Sequence, residues 1–447
     1  MRAVALLLTA TALAGQTIPA RWPADAATLH LLEGSSINCL LVEATGITPE
    51  FRALVNRKLL AVAHDEASAI AALQAGAGGL VLEGNFTDEA RVRLRELDPQ
   101  LIELRPRAQL DFDAPIIATP QAVWPGINTH DEAGKAETGP TGAPWIDTNA
   151  GFLRFARALA PPGAAIWLAN RPPEKTLVSA ERYLQVIADA AMLGAHWVLA
   201  LDDDYLARLM RGDAKATAGW KRINALLAFY AAHPGWRRTK PYGQLAVVQD
   251  SASGGLLSGG ILDMIGVKHT PLVPVPKGRL AAADLSAVKM TVNIDTANLT
   301  EAQREKLKQF TRAGGTLLSG PPGWRMPPPS ATQITLAKED IAKLEDIWRE
   351  VNALMGRRNL GARLFNVASM LSNLTTDGTR VVLHLVNYSD YPVDSIAVHL
   401  LGKFRRATLV TPESPTPKQL ALYNNEDGSG VDIDTVSTVA VLTLEPQ

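Results

Sequence analysis

Short, almost uninterrupted apolar runs alternate with helical patterns from Ser36 onward. Ile37–Glu43, Leu59–His64 and Gly79–Glu83 read as strands, with helices at Pro49–Asn56, Glu66–Gln74 and Asp88–Glu96 between them. Strands that are apolar on both faces belong in a parallel sheet covered by helices. Leu101–Arg105 and Pro115–Thr119 continue the series, joined by a connection too short for a full helix. Beyond a long stretch, Trp124–Asn149, come a helix at Ala150–Leu159, a strand at Ala165–Asn170, a helix at Ser179–Leu193 and a strand at His196–Leu201. Helices around Tyr205–Met210 and Trp220–His233 close the region. The pattern predicts an α/β fold, a (β/α) barrel that is irregular or short of eight strands, with an open doubly wound sheet as the alternative.

A second α/β pattern begins near Pro241, with strands at Gly243–Gln249, Lys289–Asn293 and Gly315–Ser319 and helices at Gly254–Ile265 and Thr300–Ala313. Thr300 and Gln303 make a capping box, and Gly314-Gly315 closes the helix with residues that tolerate positive φ. The Pro-rich run 321–330 reads as a linker, because proline neither donates to a sheet nor propagates a helix. An amphipathic helix at Lys338–Met355 leads into alternating strands at Arg363–Ser369, Thr379–Tyr388, Ser395–Leu401, Arg406–Val410 and Val436–Leu444, the pattern of a small β-sandwich. The expected domains are 1–14 as a signal peptide, 20–238 as the barrel, 239–326 as a Rossmann-like unit, 327–362 as linker and helix, and 363–447 as the sandwich.

Composition narrows the function. Lys plus Arg is 44 and Asp plus Glu is 45, which gives no electrostatic case for nucleic acid or an anionic membrane. The start of the chain, Arg2 followed by the apolar run Val4–Ala14 and an A-x-A site at Ala12–Ala14, describes a secretory signal peptide too short to span a bilayer. The expectation is a secreted or periplasmic protein with no membrane span. Cys39, the sole cysteine, sits in a strand-like apolar run and reads as core packing.

Candidate chemistry follows from the barrel, whose strand C-termini and following loops build the active site. Those positions hold Glu43, His64, Glu83, Arg105, Arg107, Trp124, Asp147, Asn149, Asn170, Arg171 and Asp202-Asp203-Asp204. Carboxylates with tryptophans point to glycoside hydrolysis, which needs two carboxyl groups flanking the scissile bond and flat apolar surfaces for sugar rings. Glu83 and Asp202 are the expected pair, with Glu43 and Asp147 as substitutes. Trp124 and Trp145 are the expected platforms, and Asn149, Asn170, Arg171 and His64 the groups that bind hydroxyls. Each has a structural alternative: Glu43 and Glu83 can cap helices or pair with Arg105, and Asp202–Asp204 can be first-turn charges favoured by the helix dipole. The triple Asp lacks an EF-hand-like loop, so no metal is expected. The Gly-rich segment Asp250–Gly260 lacks both GxGxxG and the P-loop pattern, and no cofactor is expected.

The order of barrel, α/β unit with LKQFTRAGGTLLSG and β-sandwich resembles that of family 42 β-galactosidases and related glycoside hydrolases, over most of the chain after residue 36. The resemblance implies an amidotransferase-like trimerisation domain in the middle, which leaves homo-oligomerisation open, and a carbohydrate substrate. It also implies a catalytic pair on the fourth and seventh strands, the acid/base as Asn-Glu. After the fourth strand counted from the sequence stands Leu104-Arg105-Pro106, and Asp202 ends the seventh, so no acid/base assignment carries over. The alternatives are a barrel without catalysis that binds carbohydrate or serves in assembly, and a small-metabolite module with its pocket confined to 243–320.

Overall fold

The structure is a computed structural model that describes residues 17–125, 148–174, 176–249, 269–293, 299–320, 338–356, 361–424 and 426–447. The predicted signal peptide, Trp145, Asp147, the helix at 254–265 and the Pro-rich run lie outside those residues.

Eight parallel strands run in sequence order: β1 (Pro19–Arg21), β2 (Cys39–Glu43), β3 (Lys58–Ala63), β4 (Leu80–Glu83), β5 (Ile102–Leu104), β6 (Ile116–Thr119), β7 (Ala165–Leu168) and β8 (His196–Trp197). The sheet meets itself where Arg21 N donates to Leu199 O at 2.7 Å and Leu199 N to Pro19 O at 3.2 Å, so the expected barrel forms. Its helices are α1 (Pro49–Leu54), α2 (Glu66–Gln74), α3 (Asp88–Leu97), α4 (Ala150–Leu159), α5 (Ala180–Met192), α6 (Asp203–Met210) and α7 (Ala214–Ala231). The β1–β2 and β5–β6 connections contain only 3-10 turns, which makes the barrel irregular.

One strand is missing from the sequence-based count. β1 is three residues long and starts on a proline, so it carries no readable alternation. Counting it moves Leu104-Arg105-Pro106 from the fourth strand to the fifth and Asp202 from the seventh to the eighth. The strand that is fourth in the barrel ends in Glu83.

The pleat decides which side chains reach the mouth. Cys39, Leu41, Leu60, Val62, Val81, Ile102, Leu104, Ala118, Ala165, Trp167, Ala169 and Val198 pack together as the barrel interior. Their neighbours Leu40, Val42, Leu59, Ala61, Leu80, Leu82, Ile166 and Leu168 face the helices in a separate core. Cys39 is fully buried in that interior, and burial pushes its thiol up to about 12, as a packing residue requires.

The middle unit has four parallel strands, β9 being a two-residue segment before it (Lys240–Pro241): β10 (Leu245–Gln249), β11 (Leu272–Pro276), β12 (Met290–Asn293) and β13 (Thr316–Ser319), in the order β11-β10-β12-β13. β11 escapes the sequence reading because its LVPVP sequence has two prolines, tolerated here because the strand is at an edge. The predicted capping box opens α8 (Glu301–Arg312), and Gly314 closes it at φ +92°. After α9 (Lys338–Met355) the chain forms the expected sandwich, of one four-stranded and one six-stranded antiparallel sheet. The six-stranded sheet takes β9 as its edge, through Pro241 and Lys240 against Thr375 and Thr376.

The sandwich packs on the barrel over α5, which is why nearly all of that helix is buried. Leu371, Val382, Val386 and Tyr388 join the core that underlies the barrel helices. Tyr388 Oη donates to Asp189 Oδ1 at 2.7 Å, and Arg182 pairs with Asp390 at 3.1 Å.

Candidate active site

Alternation along the strands builds the site. In β2 the interior positions are Cys39 and Leu41, so the next is Glu43; in β3 they are Leu60 and Val62, so the next is His64; in β4 Val81 leads to Glu83. By the same step Ala169 leads to Arg171 after β7, and the flank of Ala20 that faces inward carries Arg21. Five polar groups thus follow the last apolar interior layer at one end of a parallel barrel, the end where strand C-termini converge.

They form one network. Ligand atoms of Glu43, His64 and Glu83 lie within 4.8 Å of one another. Arg21 Nη2 donates to Glu83 Oε1 at 2.9 Å, and its Nη1 lies 3.8 Å from Glu43 Oε1. Arg171 Nη2 donates to Glu43 Oε1 and lies 3.5 Å from Glu83 Oε2. His64 Nδ1 faces the Glu83 backbone oxygen at 2.8 Å and its Nε2 faces Glu43 Oε2 at 3.0 Å. A carbonyl oxygen only accepts, so Nδ1 is the donor in that contact, and Nε2 faces the carboxylate.

Electrostatics follow from depth. Arg21 is almost wholly buried, and desolvation lowers its pKa against the pull of Glu83, with Arg171 adding to the lowering. Glu43 is half exposed; burial pushes its carboxyl up, but the hydrogen bond and charge of Arg171, with those of His64, outweigh it and hold it below the usual range. Arg21 Nε and Nη1 and Glu83 Oε2 are buried and make no hydrogen bond, although Nη1 has an ion-pair contact with Glu43 and Oε2 one with Arg171. Glu43, His64 and Glu83 are also the group best placed for a cation among the described residues. Two guanidinium groups already neutralise these carboxylates, so the donor set suits a divalent ion poorly.

The other expected site residues among those described are engaged in capping, hydrogen bonds or packing. Asp202 is the N-cap of α6: Oδ1 accepts from Tyr205 N at 2.9 Å, and Oδ2 from Tyr183 Oη at 2.9 Å and Val178 N at 3.4 Å. Asn149 is buried with Arg107, Val123 and Asp189, its amide fully used at the start of α4. Trp124 is only 4 % exposed, packed edge-on against Tyr183 and Trp197, so it offers no open face for a sugar ring. Its Nε1 donates to Arg171 O at 3.0 Å, and Asn170 Nδ2 donates to Ala122 O at 2.6 Å. These bonds tie the loop after β6 to the loop that carries Arg171. Arg21 was not expected, because the strand it ends was not readable.

The fold is a barrel with an α/β unit and a β-sandwich following. The chain resembles α-L-fucosidase isoenzyme 2 from Paenibacillus thiaminolyticus with a TM-score of 0.58 at 10% identity, over 96% of this chain and 100% of that one. It matches a GH42 β-galactosidase from G. stearothermophilus (TM-score 0.46, 10% identity, 96% and 98% covered) and the β-galactosidase from Bacillus circulans sp. alkalophilus (0.45, 9%, 96% and 98%) less well. No family model matches the chain, and no curated protein matches it in sequence. Among the described residues no helix is long and apolar enough to cross a membrane.

Proposed function

We propose that this is an exported glycoside hydrolase whose working groups are Glu83, Glu43 and His64. One observation carries the reading: two carboxylates and an imidazole, their ligand atoms within 4.8 Å, stand at the C-terminal mouth of the barrel beside buried donor and acceptor atoms that make no hydrogen bond within the protein. A sugar hydroxyl both donates and accepts, so it can serve Glu83 Oε2 and Arg21 Nη1 at once. The short carboxylate spacing lies on the side of the retaining mechanism, in which one carboxylate attacks the anomeric carbon.

Arg21 orients Glu83 through the bond to Oε1, a placement that suits the carboxylate to attack or to stabilise positive charge on the sugar. The His64–Glu43 pair is the candidate proton donor to the leaving oxygen. The α-L-fucosidase likeness supports carbohydrate as the substrate class, and the apolar start of the chain supports export. A second reading has its own observation: Arg21 and Arg171 bridge both carboxylates, and a mouth neutralised in this way can bind glycan without cleaving it.

Hydrolysis of aryl glycosides with graded leaving groups tests the assignment. Glu83→Gln is expected to lower turnover on all of them by roughly a thousandfold or more. His64→Ala is expected to cost roughly a hundredfold on poor leaving groups and far less on activated ones, which need no protonation. Full activity in Glu83→Gln would overturn it, and glycan binding without turnover in the wild type would establish the second reading.

A further inference from the structure

The strip Ala122–Trp124 that follows β6 is fixed on one side and tied to the mouth on the other. On the first side Asn149 holds Val123 by both backbone groups, its carboxamide accepting from Val123 N at 2.8 Å and donating to Val123 O at 2.9 Å. Asn149 is itself bonded to the buried Asp189. On the second side the strip meets the loop after β7 at two points. Asn170 Nδ2 donates to Ala122 O at 2.6 Å, and Trp124 Nε1 donates to Arg171 O at 3.0 Å.

The indole has little room to follow a moving loop. Its ring centroid lies 5.5 Å from that of Tyr183 and 4.8 Å from that of Trp197, edge-on to both. Tyr183 is fixed in turn, since its hydroxyl donates to Asp202 Oδ2 at 2.9 Å and accepts from Asp202 N at 2.7 Å. A line of contacts therefore runs from the cap of α6 through Tyr183 and Trp124 to the Arg171 backbone.

At its far end Arg171 reaches the carboxylates. Its guanidinium donates to Glu43 Oε1 and lies 3.5 Å from Glu83 Oε2. Arg171 and Glu43 are both more than a third exposed, and ion pairs of that kind gain little against the rotamer freedom they freeze. The guanidinium thus depends on a fixed backbone for its place. Geometry at a reacting centre is steep, with a misplacement of about 1 Å costing roughly a hundredfold in rate.

We propose that Trp124 is a positioning residue for the mouth: its indole N–H, bonded to Arg171 O, sets where the Arg171 guanidinium stands between Glu43 and Glu83. This rests on the reading of the two carboxylates as working groups, while the order of Arg171 is measurable without turnover.

A double-mutant cycle on kcat/KM for aryl glycosides, with nitrogen-15 relaxation of the Arg171 guanidinium alongside, tests it. Trp124→Phe keeps an aromatic ring and loses the N–H; it is expected to lower kcat/KM roughly tenfold and to raise the mobility of the guanidinium. Asn170→Ala cuts the second tie and leaves the aromatic packing untouched, with an expected loss of severalfold. In the Arg171→Gln background neither substitution is expected to cost anything further, because both act through the arginine. A residue that only supports the fold would lower Tm and add its loss in that background as well. Additive losses for both substitutions, or an Arg171 guanidinium as ordered in Trp124→Phe as in the wild type, would overturn the proposal. Absence of turnover in the wild type would instead overturn the hydrolase reading, and the relaxation measurement would still decide whether Trp124 places Arg171.

Discussion

His64 Nε2 and Glu43 Oε2 lie 3.0 Å apart, each held from behind, the imidazole by the Glu83 carbonyl oxygen and the carboxylate by Arg171. The contact holds both groups in one orientation, and the Glu43 carboxyl stays below the usual carboxylate range beside Arg171 and His64.

Because Glu43 is held below the ordinary carboxylate range, the folded state gains from its ionised form above that range and loses the gain as pH falls through the lowered pKa. The gap in Tm between wild type and Glu43→Gln should therefore be widest near neutral pH and close on acidification. Melting curves across that range check it, and a constant gap would contradict the pairing.

His384 gives a deeper acid liability. It is 1 % exposed, neither ring nitrogen has a hydrogen-bond partner, and burial, aided by the His233 charge, pushes it down to about 3. A base lowered on folding stabilises the native state above its ordinary value of 6.5, and that contribution is lost as pH falls toward the folded value. Stability should drop by about 1.4 kcal/mol per pH unit over that interval. His384→Leu should flatten the acid limb, as read by urea unfolding at several pH values.

Asp202 separates a supporting from a chemical role. Asp202→Ala removes the α6 cap and strips Tyr183 of its buried acceptor, at an expected cost of about 2–4 kcal/mol. Asp202→Asn keeps a good cap and should cost about 1 kcal/mol, with turnover retained. Loss of turnover at near-normal stability in Asp202→Asn would make this carboxylate a participant in the reaction.

Tyr388 joins sandwich to barrel through a hydroxyl shared between Asp189 Oδ1 at 2.7 Å and Thr148 Oγ1 at 3.1 Å. Tyr388→Phe should cost about 1–3 kcal/mol, because the Asp189 carboxylate is wholly buried and loses a donor. A double-mutant cycle with Thr148→Val should show coupling of about 1 kcal/mol; additivity would place the two residues in separate networks.

Much of the barrel is readable because its strands are continuous apolar runs bounded by polar residues. The mouth is readable for the same reason: Glu43, His64 and Glu83 stand where β2, β3 and β4 run out of interior. Arg21 is hidden by the brevity of β1. At Asp202 a cap and a catalytic carboxylate would occupy the same position in a strand–loop–helix pattern, and the bonds to Tyr205 N and Tyr183 Oη, which the sequence does not show, give it the capping geometry. Trp124 misleads differently, since a tryptophan leaving a strand reads as accessible until Tyr183 and Trp197 are seen against it. The α/β unit is legible at its capping box, where local bonding alone suffices, and not at β11, whose prolines are tolerated only because of its place at the sheet edge.

The pairing of Pro241 and Lys240 with Thr375 and Thr376 means that the segment leaving the barrel is already a strand of the last module. A chain released from a ribosome would make that strand long before its partner exists, so the sandwich sheet is completed by a residue pair waiting upstream. Modules cut at the barrel's end would each carry an unfinished edge, and a protein assembled from this one by exchanging its parts would have to move the two-residue strand together with the sandwich.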